Sequence, residues 1–200
     1  SELPLPTQIL IGMSNFFRNN ILLILGVFAG VGLAYKLYGN TEAGRLNLAK
    51  LQLKLPVLGN IGNLNAASQF ANTMTMMLQA GLPMTKSISI TSRVLDNYYI
   101  SQEIGKISAR LEEGHTLGHS LREANCLPAI LVDMAAVGEE SGELAQTLGM
   151  TAEYYDNELE QATAEALAKL EPAILVFLAG FAGFIVIAIY MAMFGMYANM

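Results

Sequence analysis

Two stretches of this chain are apolar without interruption, and between them apolar residues recur with a helical period. "ILLILGVFAGVGLAY", Ile21 to Tyr35, carries no charge, and Lys36 and Tyr38 follow it. "PAILVFLAGFAGFIVIAIYMAMFGMYANM" runs uncharged from Pro172 to the last residue. A membrane-spanning helix takes about 20 apolar residues, and about 17 where flanking side chains snorkel. The second stretch meets that length alone. The first meets it from Asn20 through Tyr38, with Lys36 reaching to the headgroups. The pattern predicts transmembrane helices at 20–38 and 172–197.

The middle predicts helices only. "FANTMTMMLQAG" places Phe70, Met74, Met77 and Leu78 at i, i+4, i+7 and i+8, and the run stops at Gly81. Pro83 suits the first turn of a helix from Met84 to Val94. Asp96 and Asn97 mark a turn, and Tyr98 to Glu113 is periodic up to Gly114. Thr116 or Ser120 is placed to cap a short helix through Ala124. Leu127 and Pro128 open another, expected to end near Gly138. Ser141 is then expected to cap a long helix with Glu143 in its first turn, where an acid favours the helix dipole. That helix is expected to continue toward the second span, with Pro172 as a kink or junction. No β-alternation persists. The fold class is therefore an all-α membrane protein. A six-helix bundle over 65–170 is flanked by the two spans, 39–64 forms a linker helix and turn, and 1–19 a juxtamembrane segment.

Composition agrees with a membrane protein: 53% of the residues are hydrophobic and 14% charged, against about 25% charged in an ordinary globular domain. The net charge of −6 leaves no basic stripe for nucleic acid. Cys126 is the single cysteine, which excludes an internal disulfide and a CxxC metal site. Ser1 is no initiator methionine, so a fragment, a processed product or a trimmed chain is expected. The turn-like "LPLP" without a basic flank is no signal peptide. Arg18 alone precedes the first span, whereas Lys36, Arg45, Lys50 and Lys54 follow it and Lys169 precedes the second. The positive-inside bias places 39–170 in the cytoplasm and both ends on the outer side.

Few residues suggest chemistry. His115 and His119 share a helical spacing with metal-binding pairs, but no glutamate follows His115, Gly118 weakens the helix and no third ligand is implied. "GNIGNLN", Gly59 to Asn65, lacks the lysine and Ser/Thr of a phosphate loop and reads as a junction. Met74 and Met77 read as core, with an adaptable Met74–Met76–Met77 docking surface as the alternative. Cys126 has no histidine arranged with it. The remaining candidate is the acidic corner "AAVGEESGEL". Glu139, Glu140 and Glu143 are expected between two helices, with Gly138 and Gly142 permitting unusual backbone angles. A hard cation held by Glu139, Glu140, Glu143 and Asp133 is the alternative, but no EF-hand spacing is present. The turn alone does not explain so many acids, and the three glutamates are expected to be exposed and to face a partner. No catalytic residue and no cofactor is expected.

"LPVLGNI", "QFANTMTMMLQAGLPMTKSISI", "LEEGHTLGHSL", "LPAILVDMAAVGEESGEL" and "LEPAILVFLAGFAG" occur in this order. In that order the chain resembles the inner-membrane platform proteins of type IV pilus and type II secretion machines, the PilC/GspF family. The family's GE-x-SG-x-L corner corresponds to Gly138, Glu139, Ser141, Gly142 and Leu144, and its Glu-Pro entry to the last span to Glu171 and Pro172. Family members usually carry two such helical domains and three spans, so the chain resembles the second half. The resemblance implies a non-enzymatic scaffold in the bacterial inner membrane, with 1–19 on the periplasmic side. Its implied partners are an assembly ATPase, pilin or pseudopilin, and other inner-membrane components of the machine. A signal transducer would call for a heptad-rich linker or a phospho-acceptor histidine, and a transporter for charged residues within the spans. Neither is evident. Gly26 and Gly30, and Gly180 and Gly183, instead form small-residue faces for helix packing, within a homo-oligomer or against pilin stems.

Overall fold

The computed structural model describes residues 19, 20, 23, 25–27, 30, 32, 33 and 36–197. Much of the expected first span, and nearly all of the segment before it, lie outside the described residues. Those described between 19 and 40 are helical. From there the chain forms α1 (Glu42–Lys54), α2 (Leu58–Gln79), α3 (Met84–Val94), α4 (Tyr98–Glu112), α5 (Leu117–Ala124), α6 (Ala129–Ser141) and α7 (Leu144–Tyr197). No strand occurs among the described residues. Gly39–Ala166 is one compact unit, and α7 from Leu167 belongs to a second.

The helix ends follow local chemistry. Thr41 Oγ1 accepts from the Gly44 amide at 3.1 Å to open α1, with Glu42 in its first turn and Lys54 in its last, as the helix dipole favours. Asn97 Oδ1 accepts from Ile100 N at 3.2 Å to open α4. Its Nδ2 donates to the Ala49 carbonyl at 3.1 Å, which ties α4 to α1. Pro83 and Pro128 stand immediately before α3 and α6. At the end of α2, Leu82 N donates to Met77 O and Gly81 N to Leu78 O, with Gly81 at φ 75°. This is the Schellman arrangement, which satisfies carbonyls the helix leaves free.

The core of the first unit joins Phe70 and Met74 of α2, Ile88 of α3, Ile100, Ile104 and Ile107 of α4, Leu117 and Leu121 of α5, Leu131 of α6 and Leu148 of α7. All are fully buried. Each stabilises the fold by about 1.5–3 kcal/mol relative to an exposed side chain. Met77 is half-buried and Met76 exposed.

One sequence expectation fails here. "GNIGNLN" is no junction: it lies inside α2, which begins at Leu58. Its glycines are accepted in a helix because α1 lies against them. A Cβ on Gly59 would collide with the Leu53 carbonyl, and one on Gly62 would touch the Leu53 side chain at 3.4 Å. The long helix α7 continues toward the apolar run as expected, through Glu171 and with Pro172 inside it.

Beyond Leu167 most of the described large apolar side chains of α7 are exposed; Phe177, at 72%, contrasts with the fully buried Phe70. The helix α7 contains the one stretch, among the described residues, long and apolar enough to cross a membrane.

The α5–α6–α7 corner as candidate functional site

The corner is built by two close approaches. A Cβ on Gly118 of α5 would stand 2.6 Å from Ala136 Cβ and 2.8 Å from Ala136 Cα of α6. A Cβ on Gly138 of α6 would stand 2.9 Å from Leu144 Cα and from Thr147 Cβ of α7. Neither position has room for a side chain, so the three helices meet nearly backbone to backbone.

That contact corrects the expected boundary. The helix α6 does not stop near Gly138 but runs to Ser141, because Gly138 lies inside a packed helix face. Gly142 then takes φ 75° and ends the helix. Ser141 does not cap α7: its Oγ donates back to the Gly138 carbonyl at 3.3 Å and closes α6. Nor does Glu143 lie in the first turn of α7. It precedes Leu144, and its carbonyl accepts from Thr147 N and from Thr147 Oγ1, both at 3.0 Å.

The three glutamates separate into two kinds. Glu139 is half-buried, not the exposed residue expected. Its Oε1 accepts from Leu117 N at 2.7 Å and its Oε2 from Gly118 N at 2.9 Å. Thr116 Oγ1 takes the next amide, His119 N, at 3.3 Å. The free amides at the start of α5 are thus met by one carboxylate and one hydroxyl, and the carboxylate also sits where the helix dipole favours negative charge. Glu140 and Glu143 are exposed, and their side chains pair with nothing among the described residues.

Two of the four acids of the cation alternative are engaged elsewhere. Asp133 pairs with Arg122 of α5 at 2.9 Å, and Glu139 is engaged by backbone amides. Among the described residues no three His, Cys, Asp or Glu side chains gather as a metal would need. His115 and His119 stack with ring centroids 5.8 Å apart, and His119 Nε2 lies 3.4 Å from Glu123. Cys126 is half-buried beside a cleft with Tyr99 and Tyr155; burial, and then the charge of Glu103, push its thiol up to about 12. Such a thiol is a poor nucleophile at neutral pH. Among the described residues, no atom lies within 4 Å of where a Cβ would stand on Gly26, Gly30, Gly180 or Gly183.

One constellation escaped the sequence reading. Asn65, Ser68, Gln69 and Asn72 form a polar stripe on α2. Asn65 and Gln69 donate to Asp96 at 3.1 and 2.7 Å. Asn72 donates to both oxygens of Asp156 at 3.1 Å, and Ser68 donates to the same carboxylate. The stripe fastens α2 to the α3–α4 turn and to α7. Four small polar residues at i, i+3, i+4 and i+7 were the available signal.

What the described residues define is an all-helical fold with one helix long and apolar enough to cross a membrane, whose polar contacts at the corner and along α2 join its own helices. The chain belongs to the family of type II secretion system protein F, whose sequence profile matches residues 70–192. It is 30% identical over 97% of its length to the type IV pilus assembly protein PilC of Thermus thermophilus. It is 31% identical over 94% to the type II secretion system protein F of Aeromonas hydrophila, and 29% over 97% to PilC of Pseudomonas aeruginosa. The chain spans about half the length of these relatives: 48%, 48% and 52%.

Proposed function

We propose that the chain is a non-enzymatic platform segment of a machine that assembles a type IV pilus or a type II secretion fibre. The observation that carries this reading is the alignment of nearly the whole chain with relatives named for those two machines. The platform lies in the bacterial inner membrane and crosses it at 20–38 and 172–197, with the six-helix bundle between them in the cytoplasm. It couples an assembly ATPase to the extraction of pilin or pseudopilin from the bilayer and associates with other inner-membrane components. Gly26, Gly30, Gly180 and Gly183 are its packing faces, toward further copies or pilin stems.

Glu140 and Glu143 form the face offered to the ATPase, while Glu139 holds the corner's shape. Rim charges of this kind steer association and contribute little to folding. Glu140→Lys with Glu143→Lys should leave the chain inserted and folded, yet reduce co-purification of the ATPase and stop fibre assembly. Normal assembly in the double variant would refute the assignment. Topology is read with cysteines: in a Cys126→Ser background, Thr7→Cys should react with an impermeant thiol reagent in intact cells and Glu140→Cys only after lysis. The reverse pattern would invert the orientation. Cys126 itself is unsuitable as the reporter, because its raised pKa makes it slow on either side of a membrane.

A further inference from the structure

The elbow between α1 and α2 exposes four large apolar side chains in succession: Leu51 (58%), Leu55 (44%), Val57 (49%) and Leu58 (58%). The elbow does not need them for its shape. Its backbone is closed by Leu55 N to Gln52 O at 3.3 Å, Gly59 N to Leu55 O at 2.8 Å and Ile61 N to Val57 O at 3.2 Å. The missing side chain of Gly59 lets α2 turn against Leu53. A formed bend that presents apolar residues outward marks a surface with an occupant.

Charge and position say which occupant. Although the chain carries a net −6, residues 43–95 contain no acidic residue, while Arg45, Lys50 and Lys54 lie on α1, the last two toward its elbow end. Lys54 extends from the last turn of α1, and the Lys50 ammonium rests 4.7 Å from the centre of the Tyr99 ring. Leu58 also lines a cleft of about 430 Å3 with Leu159 and Thr163 of α7. Thr163 precedes Pro172, where the uncharged run begins, by nine residues in the sequence. Apolar side chains rimmed by lysines are the composition of a segment that lies in the headgroup region of an anionic bilayer.

We propose that the α1–α2 elbow is a membrane-interface contact: Leu51, Leu55, Val57 and Leu58 enter the headgroup boundary, and Lys50 and Lys54 pair with anionic lipid. The proposal rests on the reading of α7 as membrane-crossing, and its test separates the two. The chain has no tryptophan, so one introduced residue reports its own surroundings. Leu51→Trp and Val57→Trp, made separately, are reconstituted as full chains in phosphatidylcholine–phosphatidylglycerol vesicles with brominated acyl chains. Phe177→Trp is the insertion control. Val137→Trp, exposed on α6 near the start of α7, is the aqueous control.

Both elbow tryptophans should emit to the blue and lose most of their emission to bromine, while Val137→Trp is quenched by aqueous iodide instead. Lys50→Glu with Lys54→Glu should weaken bromine quenching at the elbow only when phosphatidylglycerol is present. Iodide quenching of both elbow variants, with Phe177→Trp quenched by bromine, would overturn the proposal and leave the membrane span standing. Blue-shifted elbow emission untouched by bromine would mean that protein covers the elbow, which also overturns it. An unquenched Phe177→Trp would remove the membrane reading and the proposal together.

Discussion

Gly118 and Gly138 at the α5–α6–α7 corner, and Gly180 and Gly183 in the apolar part of α7, are the same residue in helices with opposite surroundings. At the corner a Cβ would meet Ala136 at 2.6 Å or Leu144 Cα at 2.9 Å, whereas at 180 and 183 it would meet no atom within 4 Å. The first pair lets helices of one chain touch. The second leaves a smooth face on a helix most of whose described large side chains are exposed. A glycine in a helix costs about 1 kcal/mol relative to alanine, so each pair needs a reason, and in only one is the reason visible among the described residues.

The sharpest break of that comparison is a side chain at the corner. Gly118→Val and Gly138→Val each force two backbones apart, and overpacking of this kind costs about 1–3 kcal/mol or more. Circular dichroism melts of the full chain in detergent should show the lowest midpoints for these two variants. A midpoint equal to wild type in both would mean that the helices do not meet as described.

Next in size is Glu139→Ala. It leaves the amides of Leu117 and Gly118, both buried residues, without acceptors, and each such loss costs about 1–3 kcal/mol. Glu139→Gln keeps one acceptor oxygen and should recover part of the loss. Equal melts for the alanine and glutamine variants would show that the carboxylate acts through something other than these two amides.

Smaller again is Gly81→Val, which isolates backbone strain from crowding. Gly81 stands at φ 75° with nothing within 4 Å of its Cβ position. The left-handed conformation costs an L-residue about 1–2 kcal/mol, and a β-branched side chain belongs at the upper end. A midpoint unchanged by Gly81→Val would place the end of α2 elsewhere.

The same contrast explains what could be read in advance. The stop at Gly81, the start at Asn97 and the cap at Thr116 depend on residues within one turn, and the sequence carries them in full. The end of α6 does not. Gly138 and Ser141 have the composition of a boundary, but Thr147 and Leu144 pressed against Gly138 keep the helix going. Glu139 is tied to amides more than twenty positions upstream, and Asn72 to Asp156 over a longer separation still. Glycines in "GNIGNLN" suggested a junction because the partner that makes them acceptable in a helix, Leu53, is visible only once α1 folds against α2. Acids at the corner were legible as a group, but not that one of the three would be taken up by a helix start.

The smallest expected effect on the fold, and the one that completes the comparison, is Gly180→Leu with Gly183→Leu. With no neighbour within 4 Å among the described residues, two leucines displace none of these, and both are better helix formers than glycine. They also keep the segment apolar, so insertion is unaffected. The melt of the Gly39–Ala166 unit, followed in the full chain, should therefore match wild type. If the smooth face serves association with another helix, however, the added side chains hold that helix away from close backbone contact. Cross-linking in membranes between copies, or to pilin, should then fall while the melt stays fixed. A lowered melt would show that these glycines pack within the chain after all, as Gly118 and Gly138 do. Unchanged cross-linking to every partner would leave them as incidental residues of an apolar helix.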